Sequence, residues 1–298
     1  MSKKNKLQVF SNDPRLVGLP DVPETIICEF CGKDRYCEGM SLLGMIIWRR
    51  ISMSCTCDKG IVQYEQQEAE RKAKEIAEEK AKAEKELQEK ILHIRKESGM
   101  GERFLQKTFQ SFITETTEQK KIKNIAQSYA RMFDKSLPKR GEPLPSRNGF
   151  IICGTKGTGK SHIASAIAND LINRGIGVIC MTERNLYDSI RKTYSQDDGG
   201  NESYVRGRYE RVPLLIIDDL GKEKPTEWTL ATFYAIIDGR YDRAMPTIIT
   251  TNYDIKSLIE RLTPKGNDNI TADAIVDRFN EMCEIIEMKG NSWRGRQE

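Results

Sequence analysis

The run Gly154-Thr155-Lys156-Gly157-Thr158-Gly159-Lys160-Ser161 fits the spacing G-x-x-x-x-G-K-[ST] in full. Its glycines let the backbone curl so that successive N–H groups face a phosphate. The apolar run Phe150-Ile151-Ile152-Cys153 precedes it as a buried strand, and His162-Ile163-Ala164-Ser165-Ala166-Ile167 opens a helix after it. That strand–loop–helix order puts the partial positive charge of a helix N-terminus behind the phosphate. Lys160 is then placed to reach the β- and γ-phosphates of a nucleotide, and Ser161 to ligate Mg²⁺.

A second constellation is Leu214-Leu215-Ile216-Ile217-Asp218-Asp219, an apolar strand ending in two carboxylates. Acids at the C-terminal end of a strand sit where open α/β sheets bind ligands. Asp218 would hold Mg²⁺ through water, and Asp219 would orient and polarise an attacking water. Adjacent acids favour hydrolysis over transfer to a bound acceptor. A third strand, Thr247-Ile248-Ile249-Thr250-Thr251, ends at Asn252, which could bond the attacking water or the γ-phosphate. Alone, an Asn after a strand is usually a turn residue. In Ile275-Val276-Asp277-Arg278-Phe279, Arg278 could reach the γ-phosphate on a neighbouring subunit, as an arginine finger does. The plain alternative is a surface salt bridge with Asp277.

The third constellation is built of cysteines. The chain has eight, five of them at positions 28, 31, 37, 55 and 57. Cys28-x-x-Cys31 and Cys55-x-Cys57 are two close pairs, and four thiolates at tetrahedral geometry suit a structural Zn²⁺. A short segment with few large apolar residues needs such a staple. Cys37 could replace one ligand or stay a free thiol, and reduced, unliganded cysteines are the plain alternative. Cys153, Cys180 and Cys283 lie among apolar residues and read as small core side chains.

These sites need elements to hold them. The chain has 298 residues, 38% hydrophobic and 31% charged, with a net charge of +4. That composition excludes uniform disorder, and no apolar run approaches the roughly 20 residues of a membrane span. The basic start is followed by no apolar stretch, so the expectation is a cytoplasmic protein without a signal peptide. Composition divides the chain into a cysteine-rich head (1–60), a charged helical connector (61–97) and an α/β domain (98–298). In the head, 40–47 and 48–51 are expected as hairpin strands. The connector is rich in Glu, Lys, Ala and Gln, with Glu68–Lys72, Glu70–Lys74, Glu78–Lys82 and Glu86–Lys90 as i,i+4 pairs. It reads as a solvated helix, or as a weak self-association seam. Five strands are expected, at 149–153, 178–181, 213–218, 247–251 and 283–288. Helices lie between them, one at 161–173 closed by Gly175. Such alternation implies right-handed crossovers and a mainly parallel sheet.

The stretch from Tyr187 to Arg211 interleaves Tyr187, Tyr194, Tyr204 and Tyr209 with Arg191, Lys192, Arg206, Arg208 and Arg211 around the acidic run 197–202. Aromatics could stack on bases while cations follow phosphates. An ordinary surface helix is the plain alternative.

In this order, the phosphate loop, the Asp-Asp strand, the Thr-Thr-Asn strand and the Asp-Arg-Phe box resemble the AAA+ ATPases. The spacing is most similar to the DnaC/IstB group of helicase-loader and transposition-helper ATPases. Further matches are Arg240-Tyr241-Asp242-Arg243 before Pro246-Thr247-Ile248, and Asn291-Ser292-Trp293-Arg294. Gly99–Phe104 and Thr108–Phe112 resemble the segment that opens the ATPase domain in this group, which by resemblance covers the adenine. The resemblance covers about residues 100–298. It implies a sheet of order 5-1-4-3-2, assembly with ATP bound between subunits, docking on a replicative hexameric helicase and contact with single-stranded DNA. It also implies Asp219 as catalytic acid, Asn252 as sensor and Arg278 as finger. The chain ends soon after the last strand, so no full helical lid is expected, with Arg294 as a possible substitute for a lid arginine. The layout of cysteine head, charged helix and ATPase resembles many phage and bacterial DnaC-like proteins, and implies that the head docks on the helicase. A ribbon that contacts DNA is the competing reading. The rival functions are an IstB-type transposition helper acting on duplex DNA, a P-loop small-molecule kinase, and an adaptor with a vestigial ATPase.

Overall fold

The computed structural model describes residues 7–16, 18–42, 45–53, 55–195, 202–290 and 292–293. The chain divides into two compact units, 1–85 and 86–298. In the first unit, β1 (Leu7–Phe10) pairs antiparallel with β4 (Cys37–Leu42), which pairs with β5 (Met45–Ser52). A separate small hairpin joins β2 (Ile26–Ile27) to β3 (Asp34–Arg35). The hairpin strands therefore end and begin at 42 and 45, not at 47 and 48 as expected. The register explains the shift: Gly39 faces Trp48, and a Cβ at Gly39 would lie 2.6 Å from the indole ring. The indole fills the space a side chain would take.

A single helix, α1 (Asp58–Glu97), carries the charge-dense run and crosses the boundary between the units. Residues 61–85 are largely exposed, as a run of Glu, Lys and Ala predicts. The last turns are not solvated, because their apolar positions change from alanine to isoleucine. Ile91 and Ile94 are buried in the core of the second unit, and the Arg95 guanidinium donates to Asn173 Oδ1 at 2.7 Å. The compact unit thus begins inside the helix, near 86, rather than at 98.

The second unit continues with α2 (Glu102–Leu105), α3 (Thr117–Arg131), β6 (Gly149–Gly154), α4 (Lys160–Asn173), β7 (Val178–Thr182), α5 (Glu183–Arg191) and α6 (Glu202–Arg211). It ends with β8 (Leu214–Leu220), α7 (Glu227–Asp242), β9 (Thr247–Thr251), α8 (Ile255–Leu262), α9 (Ile270–Met282) and β10 (Cys283–Met288). The five strands β10-β6-β9-β8-β7 form one parallel sheet, which in chain order within the unit is 5-1-4-3-2. Successive strand residues point to opposite faces. Ile152, Ile216 and Ile248 pack with α3, α4 and the end of α1, whereas Ile151, Ile217 and Ile249 pack with α5, α7 and α9. Covering both faces is what continuous apolar strands require.

The five strands of this sheet match the expected ones to within two residues, the largest difference being at β8. That strand runs through Asp218 and Asp219 to Leu220, with a register shift against β9 between Ile217 and Leu220. Among the fully buried side chains is Arg240. Its guanidinium donates to Thr247 Oγ1 (2.9 Å), to the carbonyls of Tyr209 and Val212, and to that of Pro246. Burial lowers its pKa to about 9, so it stays protonated at neutral pH and ties α6 to the start of β9. Among the described residues, no helix is long and apolar enough to cross a membrane.

Candidate nucleotide site and cysteine cluster

The phosphate loop joins β6 to α4 at the C-terminal edge of the sheet. Gly159 takes the position before α4 with φ +98°, a left-handed conformation that disfavours other residues, and a Cβ there would meet the Phe112 ring at 2.8 Å. Lys160 Nζ donates to the carbonyls of Gly154 (2.9 Å) and Thr155 (2.7 Å). Burial lowers the Lys160 pKa, against the opposing charges of Asp219 and Asp218.

Sheet register brings the acids of β8 beside this loop. Asp218 is buried; it accepts a 2.6 Å bond from Thr250 Oγ1 on β9 and another from the Ser161 hydroxyl. Burial raises its pKa, and these two bonds act against the rise. Asp219 has φ +61°, a left-handed conformation that breaks the regular alternation of the strand. Its N–H donates to Thr250 Oγ1 at 2.9 Å, and its carboxylate pairs with Lys222. Thr250 therefore supports both acids at once. Asn252 follows β9 and lines the same cleft of about 210 Å³ as Lys160, Ser161, Asp218 and Asp219.

One wall of the cleft comes from the segment before β6. Arg103, Phe104 and Lys107 line it. Asn169 on α4 holds that segment, its Nδ2 donating to the carbonyls of Phe104 (2.9 Å) and Lys107 (2.7 Å). His162 Nε2 lies 2.9 Å from the Thr108 carbonyl, which selects the tautomer protonated at Nε2. Burial lowers the His162 pKa and keeps the ring neutral. On the other side, the Trp293 N–H donates to the Gly157 carbonyl at 3.0 Å. Asn291 and Arg294 lie outside the described residues.

Three residues that bear on this site are given no role by the motifs: Thr250, which the Thr-Thr-Asn strand contains, Glu183 and Lys222. Glu183, buried at the start of α5 directly after β7, accepts bonds from the N–H groups of Gly221 (2.9 Å) and Glu223 (3.4 Å), so it fixes the turn that follows the two acids. Burial raises its pKa, and these N–H bonds oppose the shift. An acid directly after the strand beside β8 was the available signal.

Arg278 is not in the cleft, and its partner is not Asp277. It lies on α9, bonded to Asp238 Oδ1 (2.5 Å) and Tyr234 Oη (2.9 Å) on α7 and stacked over Tyr234 and Tyr241. Asp277 is one residue away on the helix and faces another direction, whereas α7 packs directly against α9. Two of the four tyrosines proposed for stacking are also unavailable. Tyr187 and Tyr209 are only 3% and 4% exposed and bond Glu183 and Ser189. Tyr194 and Tyr204 are exposed. Among the cations, Arg206 pairs with Glu202 and Glu210, Arg208 pairs with Glu97, and Arg191 lies over the Trp228 ring. The run 197–201 lies outside the described residues.

In the first unit, Cys28 and Cys31 flank the turn between β2 and β3, and Cys55 and Cys57 precede α1. Their four sulfurs lie within 4.8 Å of one another. Two sulfurs on one tetrahedral Zn²⁺ would be about 3.8 Å apart given Zn–S bonds of about 2.3 Å. The Cys28–Cys57 separation is 3.9 Å and the Cys31–Cys55 separation 3.1 Å. The backbone N–H groups of Lys33, Cys57 and Gly60 point at the sulfurs of Cys31, Cys55 and Cys57. The Cys57 N–H, together with the neighbouring thiols, lowers the Cys55 thiol to about 6. A Cβ at Gly60 would lie 2.8 Å from Cys55 Cβ, so the helix start can close on the cluster only with glycine. This donor set fits zinc. Cys37 lies on β4, buried, outside the cluster, and burial raises its pKa.

A parallel 5-1-4-3-2 sheet, with a phosphate loop after its first strand and paired acids on its third, defines a nucleotide-binding domain of the AAA+ class. Over residues 76–298 the sequence matches the family described as IstB-like ATP binding protein, and the chain belongs to that family. A curated relative, the replicative helicase loader DnaC of Buchnera aphidicola subsp. Baizongia pistaciae, is 28% identical over 169 residues, 57% of this chain. The chain spans 65% of that relative's length. Among solved structures, DnaI is similar at a TM-score of 0.52 and 22% identity, covering 65% of this chain and 94% of that one. The DnaC helicase loader is similar at 0.50 and 21%, covering 63% and 100%. The structural likeness extends to the fold.

Proposed function

We propose that this protein hydrolyses ATP and loads a replicative hexameric DNA helicase onto single-stranded DNA. The observation that carries the ATPase reading is the different housing of two adjacent acids. Asp218 is buried against Ser161 and Thr250, where it would hold Mg²⁺ together with the Ser161 hydroxyl. Asp219 is turned by its left-handed backbone into the same cleft, where its carboxylate would orient and polarise water. Mg²⁺ would supply charge neutralisation across the phosphates. Lys160 would leave the loop carbonyls for the β- and γ-phosphates. Asn252 would bond the water or the terminal phosphate, and Arg103, Phe104 and Lys107 would cover the base. Arg278 would act on a neighbouring subunit's nucleotide once self-assembly brought it there, giving up Asp238.

The loader reading is supported by the helicase-loader relatives; the four-cysteine head adds the layout that the resemblance to DnaC-like proteins implies. The head would dock on the helicase, and Tyr194 and Tyr204 remain as aromatics for single-stranded DNA. An IstB-type transposition helper is the second reading, favoured by the family match. Co-elution of the full chain with the replicative helicase of its host, in ATP and Mg²⁺, separates the two. A shifted helicase supports the loader. No shift, together with ATP-dependent binding to duplex DNA, makes the transposition helper the better account.

A further inference from the structure

Four lysines line the cleft, Lys107, Lys156, Lys160 and Lys222, and of these only Lys222 stands on the turn that follows the paired acids. Lys222 lies three residues after Asp219, on the turn that follows β8. That turn is held by the buried Glu183 carboxylate through the N–H groups of Gly221 and Glu223, and Gly221 has φ +85°. From it the Lys222 side chain lines the same cleft as Lys160, Ser161, Asp218 and Asn252. Its ammonium pairs with Asp219, and the side chain is 42% exposed. Burial chiefly lowers the proton affinity of Lys160, and the nearby Lys222 charge adds to that effect.

Two like charges facing one small cleft repel each other unless an anion lies between them. Here each is satisfied by a local group, Lys160 by loop carbonyls and Lys222 by the Asp219 carboxylate. Lys160 is placed for the β-phosphate. A third phosphoryl group would extend from there toward the ends of β8 and β9, where Asp219, Asn252 and Lys222 stand. On this reading of the cleft, a diphosphate would stop short of them.

We propose that Lys222 is a specificity-determining residue whose ammonium leaves Asp219 for the terminal phosphate of a bound nucleoside triphosphate. The exchange lets the cleft tell triphosphate from diphosphate, and it frees Asp219 to face water only when there is a phosphoryl group to attack. This rests on the reading of the cleft as an ATP site, and it adds a cation that the phosphate-loop motif does not contain.

The test is calorimetric titration of the full chain with Mg²⁺ and either β,γ-methylene ATP or ADP, in the wild type, Lys222→Met and Lys222→Arg. Neither nucleotide is hydrolysed, so the readout does not depend on turnover. Lys222→Met should weaken the triphosphate analogue about tenfold, or about 1.4 kcal/mol, and leave ADP within about twofold. Lys222→Arg, which keeps the charge, should retain most of the wild-type preference. A Lys222→Met protein with the wild-type ratio of affinities would overturn the inference, as would equal weakening of both nucleotides. A wild type that binds both nucleotides equally would overturn it as well. A wild type that binds neither would instead overturn the ATP-site reading on which it rests.

Discussion

The cysteine cluster and the nucleotide cleft are built on opposite plans. The cluster is local. Its ligands come from two short turns, and backbone N–H groups within a few residues of each sulfur complete it. The cleft is assembled at long range: Phe104, Lys160, Asp218, Thr250 and Asn252 meet only because a parallel sheet places the ends of β6, β8 and β9 side by side. A local site depends on its ligands and its ion. A long-range site depends on the register of a core that is stable whether or not the ligand is present. The difference lies in how each site responds to loss of one group.

Lys160→Ala should produce the largest effect. ATP affinity should fall by more than about a hundredfold while the melting transition of the second unit stays put, since the Lys160 ammonium bonds loop carbonyls here and would exchange them for phosphates. Titration with ATP and Mg²⁺ checks it, and unchanged affinity would break the phosphate-loop account.

Removal of the metal sharpens the contrast from the other side. The wild type should contain one equivalent of zinc, and Cys28→Ser or a strong chelator should release it and unfold residues of the head, because metal binding and folding are one event in such a module. The cleft should bind ATP as before. Metal analysis and circular dichroism give the first result, nucleotide titration the second. Loss of ATP binding on chelation would show that the two sites are not independent.

Thr250→Val should act more mildly. It keeps the shape of the strand residue but removes the hydroxyl that donates to Asp218 and accepts from the Asp219 N–H. Leaving those buried groups without a partner should cost about 1–3 kcal/mol of stability and lower turnover by about tenfold. Denaturant melts and steady-state hydrolysis read the two together. If neither changes, β9 contributes only its backbone to the site.

The same contrast explains what the sequence disclosed. The four cysteines fall in two close pairs and the phosphate loop in one contiguous run, so spacing alone singles both out. The five strands were legible because each is a short apolar run, and their order followed from the resemblance. Lys222 carries no local mark, and neither Thr250 nor Glu183 shows its role in the sequence. Thr250 is one threonine in a β-branched strand, and its role exists only because register places it opposite Asp218 and Asp219. Arg278 invited pairing with its sequence neighbour Asp277, but helix geometry turned it toward Asp238 on α7. Tyr187 and Tyr209 read as surface aromatics until the packing of α5 and α6 buried them. Arg240 was quoted as part of a motif, yet a buried guanidinium that bonds carbonyls, without a carboxylate, is visible only in three dimensions.

The most direct test of the cleft is Asp219→Asn in the full chain, comparing ATP affinity with single-turnover hydrolysis in the presence of the helicase. The two acids are housed differently, so their roles should separate. ATP affinity should stay within about threefold while hydrolysis falls at least about a hundredfold, the scale expected when a positioned acid or base is lost. Hydrolysis at the wild-type rate would contradict the assignment of Asp219 and move the activation of water to another residue of the cleft.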